Sequence, residues 1–147
     1  MFDLNEVLVP VDFSDASMVT LERALTMMNG EKPVIILLHV VDPSFAELAH
    51  TNGLGTSADV LRRMRARAES ELKAMAATGS GGVEINIVIS EGVPFYEIVQ
   101  RAEEFDVDAV VIGKVGAHDA NETLFFGSTA ERVVRACKRP VIVLPVA

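Results

Sequence analysis

The sequence predicts an α/β fold: a single doubly wound domain with a five-stranded parallel sheet and helices on both faces. Short apolar or β-branched segments alternate with amphipathic segments along the 147 residues. The segments at 34–41 and 107–112 are apolar almost throughout, which is typical of strands that are covered on both faces. Such alternation favours parallel strands joined by helices, and the length is that of one typical domain. We therefore expect one domain over residues 1–147.

The chain opens with a predicted strand and a predicted capped helix. The strand at 7–11 is short and β-branched, and Ser14 or Asp15 can cap the helix that follows. Apolar residues recur in that helix at steps of three and four, and Asn29-Gly30 supplies a stop. The apolar segment at 34–41 is then the second strand.

A less regular segment and a long helix follow. Residues 42–56 contain a proline and two glycines without a clear period, so we expect a mobile connection there. The helix predicted at 57–77 carries basic residues that could contact nucleic acid or form a solvated face. Glu69 and Glu71 lie among them without aromatic residues, which favours the solvated face. The basic residues are Arg62, Arg63, Arg65, Arg67 and Lys73.

The second half of the chain predicts three further strands and two helices. Alternating hydrophobic residues at 83–89 indicate a strand with one exposed face, at an edge of the sheet. Pro94 is typical of a first helical turn. The strand at 107–112 leads directly into Gly113.

The last predicted helix begins after a glycine-bearing loop. Ser128 and Glu131 have the spacing of a capping box, so we expect the helix to begin at Ser128 and to run to about Lys138. The final strand is predicted at 141–144. The order of elements is thus β-α-β-α-β-α-β-α-β.

The acidic composition argues against several classes of function. Thirteen Lys and Arg against 21 Asp and Glu give a formal net charge of −8, and the pI is near 4.8. The chain therefore has no general attraction for nucleic acid or for anionic membranes. One cysteine cannot form an internal disulfide, and no apolar run approaches the roughly 20 residues of a spanning helix. We expect a cytoplasmic protein without nucleic-acid or membrane partners.

Chemistry-bearing residues follow the predicted strands. In open parallel sheets, ligands bind beyond the carboxyl ends of the strands, where the strand order reverses. Asp12 follows the first strand and Gly113-Lys114-Val115-Gly116 follows the fourth, while Gly127-Ser128-Thr129 begins a helix whose N–H groups favour an anion. The phosphates of a nucleotide are the natural occupant. Alternatively, the glycines are only turn residues, Ser128 is only a cap, and Asp12 only caps the first helix.

The other candidate residues have mostly structural interpretations. We expect His39 to be a hydrogen-bonded core residue, Cys137 to pack, and His118 and Asp119 to be solvent-exposed rather than catalytic. Lys114 could contact a phosphate or solvent. We predict no catalytic residue and no metal site formed by the protein. The chain also lacks a Walker lysine motif and a dinucleotide glycine motif after the first strand.

Several segments together resemble the universal stress protein family. The similarity spans nearly the whole chain, and the motifs that carry it are Val9-Pro10-Val11-Asp12-Phe13-Ser14, Leu37-Leu38-His39-Val40, Gly92-Val93-Pro94, Gly113-x-x-Gly116, Gly127-Ser128-Thr129, Glu131-Arg132-Val133-Val134 and Pro140-Val141-Ile142-Val143. The resemblance implies a parallel sheet in the order 3-2-1-4-5.

The resemblance also implies a ligand. Family members that bind ATP carry Gly-x-x-Gly, nine residues, and then Gly-Ser or Gly-Thr, and this chain is similar to them. It departs in having ten residues between Gly116 and Gly127, and in having Val115 where the family often has a polar or basic residue. The implied contacts are Pro10, Val11 and Asp12 with the adenosine, the Val40 backbone with the adenine edge, and Gly113, Gly116, Gly127, Ser128 and Thr129 with the ribose and phosphates.

The resemblance therefore implies a nucleotide-dependent regulatory protein of the stress response. It would bind ATP, or AMP or ADP, with magnesium held through the phosphates, and would hydrolyse ATP slowly or not at all. A homodimer through the hydrophobic strand at 141–146 is implied as well, since an uncovered edge strand requires pairing. The alternatives are a dimeric interaction protein that binds no nucleotide and an enzyme such as a nucleotidyl-transferase.

Overall fold

The computed structural model describes residues 3–79, 81–114 and 127–145. The helices and strands are close to those predicted, with one additional helix. In chain order they are β1 (Glu6–Pro10), α1 (Asp15–Met27), β2 (Val34–Val41), α2 (Pro43–Thr51), α3 (Ser57–Ala77), β3 (Glu84–Glu91), α4 (Pro94–Glu104), β4 (Ala109–Gly113), α5 (Ser128–Ala136) and β5 (Val141–Leu144).

The five strands form one parallel sheet in the order β3-β2-β1-β4-β5. This confirms the expected α/β fold and the order 3-2-1-4-5, with β3 and β5 at the two edges. Val7 pairs with Ile35 of β2 on one side and with Ala109 of β4 on the other. The reversal of strand order therefore lies at β1, and a cleft is expected beyond the carboxyl ends of β1 and its neighbours.

Helices cover the sheet on both faces. Val7 and Val9 of β1 face a core that α1 and α3 complete, through residues such as Leu21 and Leu72. Leu8 faces a second core, which α4 and α5 complete. The alternation of side chains along a strand thus gives two separate apolar layers, as a doubly wound sheet requires. Cys137 packs against the second layer, as expected.

The prediction of a mobile connection at 42–56 was wrong, because α2 occupies most of it. Asp42 caps α2 by accepting a hydrogen bond from the N–H of Ser44 at 2.9 Å, and Pro43 occupies the first helical position. Proline fits that position because its missing N–H would have no helical partner there. Gly53 and Gly55 lie after the end of α2, where their φ values of 75° and 124° form the turn toward α3.

The capping box predicted at the start of α5 was also wrong. Gly127 is the N-cap, with φ −60° and ψ 153°, and no side chain among the described residues caps the helix. Ser128 is already helical, so its hydroxyl lies one position too late to act as the cap. Glu131 forms an ion pair with Arg135 at 2.9 Å instead of reaching back to the cap. For α1, Ser14 rather than Asp15 is the cap.

The remaining differences are shifts of a few residues at element ends. Val107, predicted as the first residue of the fourth strand, donates its N–H to Ala102 at the end of α4. It belongs to the helical turn, and β4 begins two residues later. No helix in the described ranges is long and apolar enough to cross a bilayer.

Candidate functional site

A cleft of about 690 Å³ opens beyond the carboxyl ends of β1, β2 and β4. This volume lies in the range of small-molecule sites, roughly 300–1,000 Å³. The structure brings eight of the ten predicted site residues to its walls: Pro10, Val11, Asp12, Val40, Gly113, Gly127, Ser128 and Thr129.

The other two predicted site residues do not line the described part of the cleft. Lys114 is not among the residues that line the cleft, but its backbone supports the cleft wall. The Lys114 carbonyl accepts a hydrogen bond from the Gly127 N–H, and the Lys114 N–H donates to the Leu144 carbonyl, both at 2.8 Å. These bonds place the start of α5 beside the end of β4. Gly116 lies outside the described residues, as do Val115, His118 and Asp119.

Asp12 organises the loop between β1 and α1. One carboxylate oxygen, Oδ1, accepts hydrogen bonds from the Ser14 hydroxyl at 2.5 Å, the Ser17 hydroxyl at 2.8 Å and the Ser14 N–H at 3.1 Å. The Asp12 N–H donates to the Ser17 hydroxyl at 2.9 Å, and the Ser17 N–H donates to the Ser14 hydroxyl at 3.2 Å. Asp12 therefore holds the serine that caps α1, and its own carboxylate is held at the mouth of the cleft.

The backbone of Val11 already has partners within the protein. Its N–H donates to Leu38 at 2.8 Å, and its carbonyl oxygen lies 2.8 Å from Nδ1 of His39. Because the N–H cannot form a second strong bond and the carbonyl faces the imidazole, Val11 can meet a ligand mainly by van der Waals contact.

Val40 offers a backbone edge to the cleft. Successive residues of a parallel strand direct their N–H and C=O groups toward opposite neighbours. Leu38 bonds Val11 on the β1 side, so Val40, two residues on, also directs its N–H and C=O to that side. The paired residues of β1 end at Pro10, opposite Leu38. The polar backbone of Val40 therefore faces the space beyond β1, where a ligand can lie.

His39 lies under the same loop. Its ring stacks on Phe13, with centroids 4.3 Å apart and planes 29° apart. Burial lowers the pKa of His39 below its usual value, although the Val11 carbonyl and the Asp12 carboxylate act in the opposite direction. The imidazole is therefore neutral at pH 7. Since a carbonyl only accepts, the nitrogen facing Val11, Nδ1, carries the proton.

The start of α5 supplies donors for an anion. The first N–H groups of a helix have no helical acceptor, and within the described ranges no side chain caps this helix. Ser128, Thr129 and Ala130 form its first turn, and all three line the cleft. The helix dipole adds partial positive charge at this end. The arrangement can hold a phosphate or carboxylate group.

Two arginines bring positive charge to the cleft, and the sequence patterns did not single them out for it. Arg132 lies one turn into α5, with its guanidinium 5.3 Å from the centre of the Phe95 ring. Arg67 comes from α3, on the opposite face of the sheet. Both are exposed.

Arg67 also differs from the other basic residues of α3. Each of the others has an acceptor: Arg62 pairs with Asp59, Arg65 with Glu91, Lys73 with Glu69, and Arg63 donates to the Leu54 carbonyl. Among the residues that the structure describes, Arg67 has neither an ion pair nor a hydrogen bond. Its guanidinium therefore has no protein acceptor within the described ranges, and it lies at the wall of the cleft.

Apolar side chains from separate elements complete the walls. Phe13 comes from the β1–α1 loop, Phe45 from α2, Met64 from α3 and Val93 from the residue before α4. Phe45 was not predicted as a wall residue because the segment at 42–56 was expected to be a connection and not a helix. The Asp42-Pro43 pair, an N-cap residue followed by proline, was the available signal.

The polar side chains of the β1–α1 loop take part in local structure at the mouth of the cleft. No group of three or more His, Cys, Asp or Glu residues within the described ranges could hold a metal ion. The hydroxyl of Ser14 is hydrogen-bonded to Asp12, but it also accepts the Ser17 N–H as the cap of α1. That hydroxyl is engaged in local structure, as is the Asp12 oxygen it contacts.

This fold and site define an open, doubly wound α/β domain with a ligand cleft at the reversal of strand order. The family model described as the universal stress protein family matches residues 4–145. The chain belongs to the universal stress protein family. The earlier resemblance to this family is confirmed.

Curated relatives and solved structures agree with this assignment. Universal stress protein MJ0531 of Methanocaldococcus jannaschii is 31% identical over 141 residues, covering 95% of this chain and 81% of the relative. MJ0577 of the same organism is 26% identical, covering 95% and 94%. The solved structure of MJ0577 superposes with a TM-score of 0.78 at 25% identity, covering 99% of this chain and 96% of that one.

Two more distant structures share the fold and hold adenine nucleotides. One is a universal stress protein in complex with cAMP, at 23% identity and a TM-score of 0.62, covering 99% of each chain. The other is the universal stress protein of Archaeoglobus fulgidus in complex with dAMP, at 19% identity and a TM-score of 0.54, covering 97% of this chain and 98% of that one. Related proteins of this fold therefore bind adenine nucleotides.

Proposed function

We propose that this protein binds an adenine nucleotide in the cleft and acts as a nucleotide-dependent regulatory protein of the stress response in the cytoplasm. The observation that carries the proposal is the presence of two unlike binding edges in one cleft. The backbone edge of Val40 suits the rim of a base, and the uncapped start of α5 suits a phosphate. Family members on the same fold hold cAMP and dAMP, which supports adenine as the base.

The proposed contacts are those that the family resemblance implies, together with Lys114. Pro10 and Val11 contact the adenosine by van der Waals packing, Asp12 accepts a hydrogen bond from it, and Val40 pairs with the base edge. The phosphate end is assigned to the glycine segments and the first turn of α5: Gly113, Lys114, Gly116, Gly127, Ser128 and Thr129.

ATP with magnesium is the ligand that we propose, with ADP and AMP as the other candidates. The N–H groups of α5 and the guanidiniums of Arg67 and Arg132 fit a polyphosphate, because they offer donors and positive charge. The described residues offer no cluster of ligands for the metal itself. Magnesium would therefore be held by phosphate oxygens and water.

The proposal is tested on the purified protein in two steps. The protein is denatured, the released supernatant is chromatographed for adenine nucleotides, and the nucleotide-free protein is then titrated with ATP, ADP, AMP and GTP by calorimetry. We expect an adenine nucleotide to bind at one site per chain and GTP to bind more weakly. No retained nucleotide together with no binding of any adenine nucleotide at millimolar concentration would contradict the proposal.

Substitution of Gly127 is expected to weaken nucleotide binding without unfolding the protein. Its φ of −60° is open to any residue, so Gly127→Ala introduces no backbone strain. Alanine is a poorer N-cap than glycine, so we expect the unfolding free energy to fall by about 1 kcal/mol while the protein stays folded. The added Cβ obstructs the approach of phosphate to the first N–H groups, and we expect ATP affinity to fall by about tenfold.

Lys114→Ala is the comparison, with an expected loss of ~1 kcal/mol in binding, because Lys114 is only half-buried and solvent screens its contact with a phosphate. Calorimetry on both variants measures the difference. Unchanged ATP affinity in Gly127→Ala would contradict the assignment of the phosphate end to this segment.

Hydrolysis of ATP is expected to be slow. Backbone N–H groups at a helix start bind the ground state and the transition state alike unless they are aimed at the developing charge. We therefore expect fewer than about one turnover per second in a magnesium-dependent phosphate-release assay. Several turnovers per second, abolished by His118→Ala or Asp119→Ala, would instead make the protein an enzyme.

The second candidate function, a dimeric interaction protein, is favoured by the exposed edge of β5. All four residues of β5 are half-buried, and among the strands that the structure describes only β4 pairs with it. Pro140 and Leu144 bond β4 through their carbonyls, so the alternation of the strand directs the N–H and C=O of Val141 and Val143 outward. We propose that a second copy pairs with this edge, giving a homodimer.

A proline at the outward position tests the dimer. Val143→Pro removes an outward N–H while sparing the bonds to β4, and proline is tolerated on edge strands. We expect the wild type to have the mass of a dimer by light scattering, Val143→Pro to be monomeric and Val143→Ala, which keeps the N–H, to be dimeric. A monomeric wild type at high micromolar concentration would contradict the proposed pairing.

A further inference from the structure

His39 holds both residues that flank Asp12. Its Nδ1 is 2.8 Å from the Val11 carbonyl oxygen, and its ring stacks on Phe13 at 4.3 Å. The contact with Val11 spans 28 positions of the chain, from β2 back to the loop after β1. The position of the Asp12 carboxylate therefore depends on a side chain of another strand.

The loop needs this support because its backbone is strained. Phe13 has φ of 65°, in the left-handed region, which is unfavourable for a bulky aromatic residue. Such a conformation persists only where surrounding contacts hold it. The ring of His39 supplies one contact, and the Asp12 hydrogen bonds to Ser14 and Ser17 supply others.

The residue that follows His39 carries the other half of the base-binding end. Val40 directs its backbone toward the cleft, whereas His39 directs its side chain to the β1–α1 loop, which also lines the cleft. The dipeptide His39-Val40 of β2 thus carries the proposed ligand-binding backbone, at Val40, and the side chain that holds the β1–α1 loop, at His39. The separation between Val40 and Asp12 is set within this pair of residues.

We propose that His39 is a positioning residue for the base-binding end of the cleft, acting through a hydrogen bond from Nδ1–H to the Val11 carbonyl and through its stack on Phe13. This inference rests on the proposed nucleotide binding. It assigns His39 a role beyond core packing, and it requires the Nδ1–H tautomer in the protein without ligand.

Three substitutions at position 39 separate the hydrogen bond from packing. In His39→Asn, the amide nitrogen takes the place of Nδ1 and can donate to Val11. His39→Gln moves the donor one bond further out, and His39→Leu keeps a similar volume without a donor. Adenosine and ATP affinities are measured by calorimetry for each variant, with the melting temperature as a check of folding.

We expect His39→Asn to bind about threefold more weakly than the wild type, because it keeps the donor but loses the stack on Phe13. His39→Gln and His39→Leu should bind about tenfold more weakly, because they lose both the hydrogen bond to Val11 and the stack. The loss should be equal for adenosine and ATP, because the base end is affected and the phosphate end is not. Nitrogen NMR of the wild-type protein, independent of any variant, should show Nδ1 protonated and Nε2 unprotonated at pH 7.

Three results would overturn the inference. Unchanged binding by His39→Leu, His39→Asn as weak as His39→Leu with a native melting temperature, or an Nε2–H tautomer in the wild type would each do so while leaving the proposed function intact. A wild-type protein that binds neither adenosine nor any adenine nucleotide would overturn both the proposed function and this inference.

Discussion

Asp12→Ala is expected to abolish most of the nucleotide affinity and to destabilise the start of α1. The substitution removes the acceptor of three hydrogen bonds from Ser14 and Ser17, and with it the proposed acceptor for adenosine. Because these bonds are partly exposed, we expect unfolding free energy to fall by about 1–2 kcal/mol. We expect ATP affinity to fall by at least about tenfold, since both the loop and a ligand contact are lost.

Two further variants define what Asp12 contributes. Asp12→Asn keeps an oxygen that can accept from the serine hydroxyls, so stability should largely return while the charge is lost. Asp15→Ala removes an exposed acid in the first turn of the same helix, and little change in ATP affinity is expected. Calorimetry and thermal unfolding measure both properties. If Asp15→Ala weakens binding as much as Asp12→Ala, the effect is one of overall charge and the specific role of Asp12 is refuted.

Leu8→Ala is expected to be the most destabilising of these substitutions. Leu8 is 0% exposed at the centre of β1 and faces the apolar layer formed with α4 and α5. Truncation of a buried leucine removes apolar contact and leaves a cavity, at a cost of about 3 kcal/mol within a range of roughly 2–5. For a domain of this size, that corresponds to a fall of about 6–12 °C in melting temperature.

Leu48→Ala is the matched control, because the same atoms are removed from a side chain that is 59% exposed on α2. We expect its unfolding free energy to change by no more than about 0.5 kcal/mol. Chemical denaturation of both variants gives the two values. Equal destabilisation would mean that α2 is covered in the protein in solution, and a loss below about 1 kcal/mol for Leu8→Ala would contradict the packing of β1.

Most of the fold was predictable from local patterns in the sequence. The periodicity of strands and helices can be recognised in windows of less than about 20 residues, and so can helix-start signals such as Ser14 and Pro94. These features can therefore be predicted without the structure. The strand order came from the family resemblance, and the sheet confirms it. The two local errors arose where two local signals competed. At 42–56, proline and glycine indicated a connection, whereas Asp42-Pro43 indicated the start of a helix. At the start of α5, both Ser128 and Gly127 could be the N-cap, and the structure has Gly127 there.

The sequence by itself also determined which residues stand at the ends of strands, and this was enough to predict Asp12 and the start of α5 as site residues, whereas Val40 was predicted from the family resemblance. Only the tertiary structure decided how they are arranged. His39 contacts Val11 and Phe13 because parallel pairing aligns β1 and β2, which are distant in the chain. Arg67 and Arg132 reach the same cleft from helices on opposite faces of the sheet. Such contacts depend on the register of the sheet and on the packing of helices against it, and no short window of sequence encodes either.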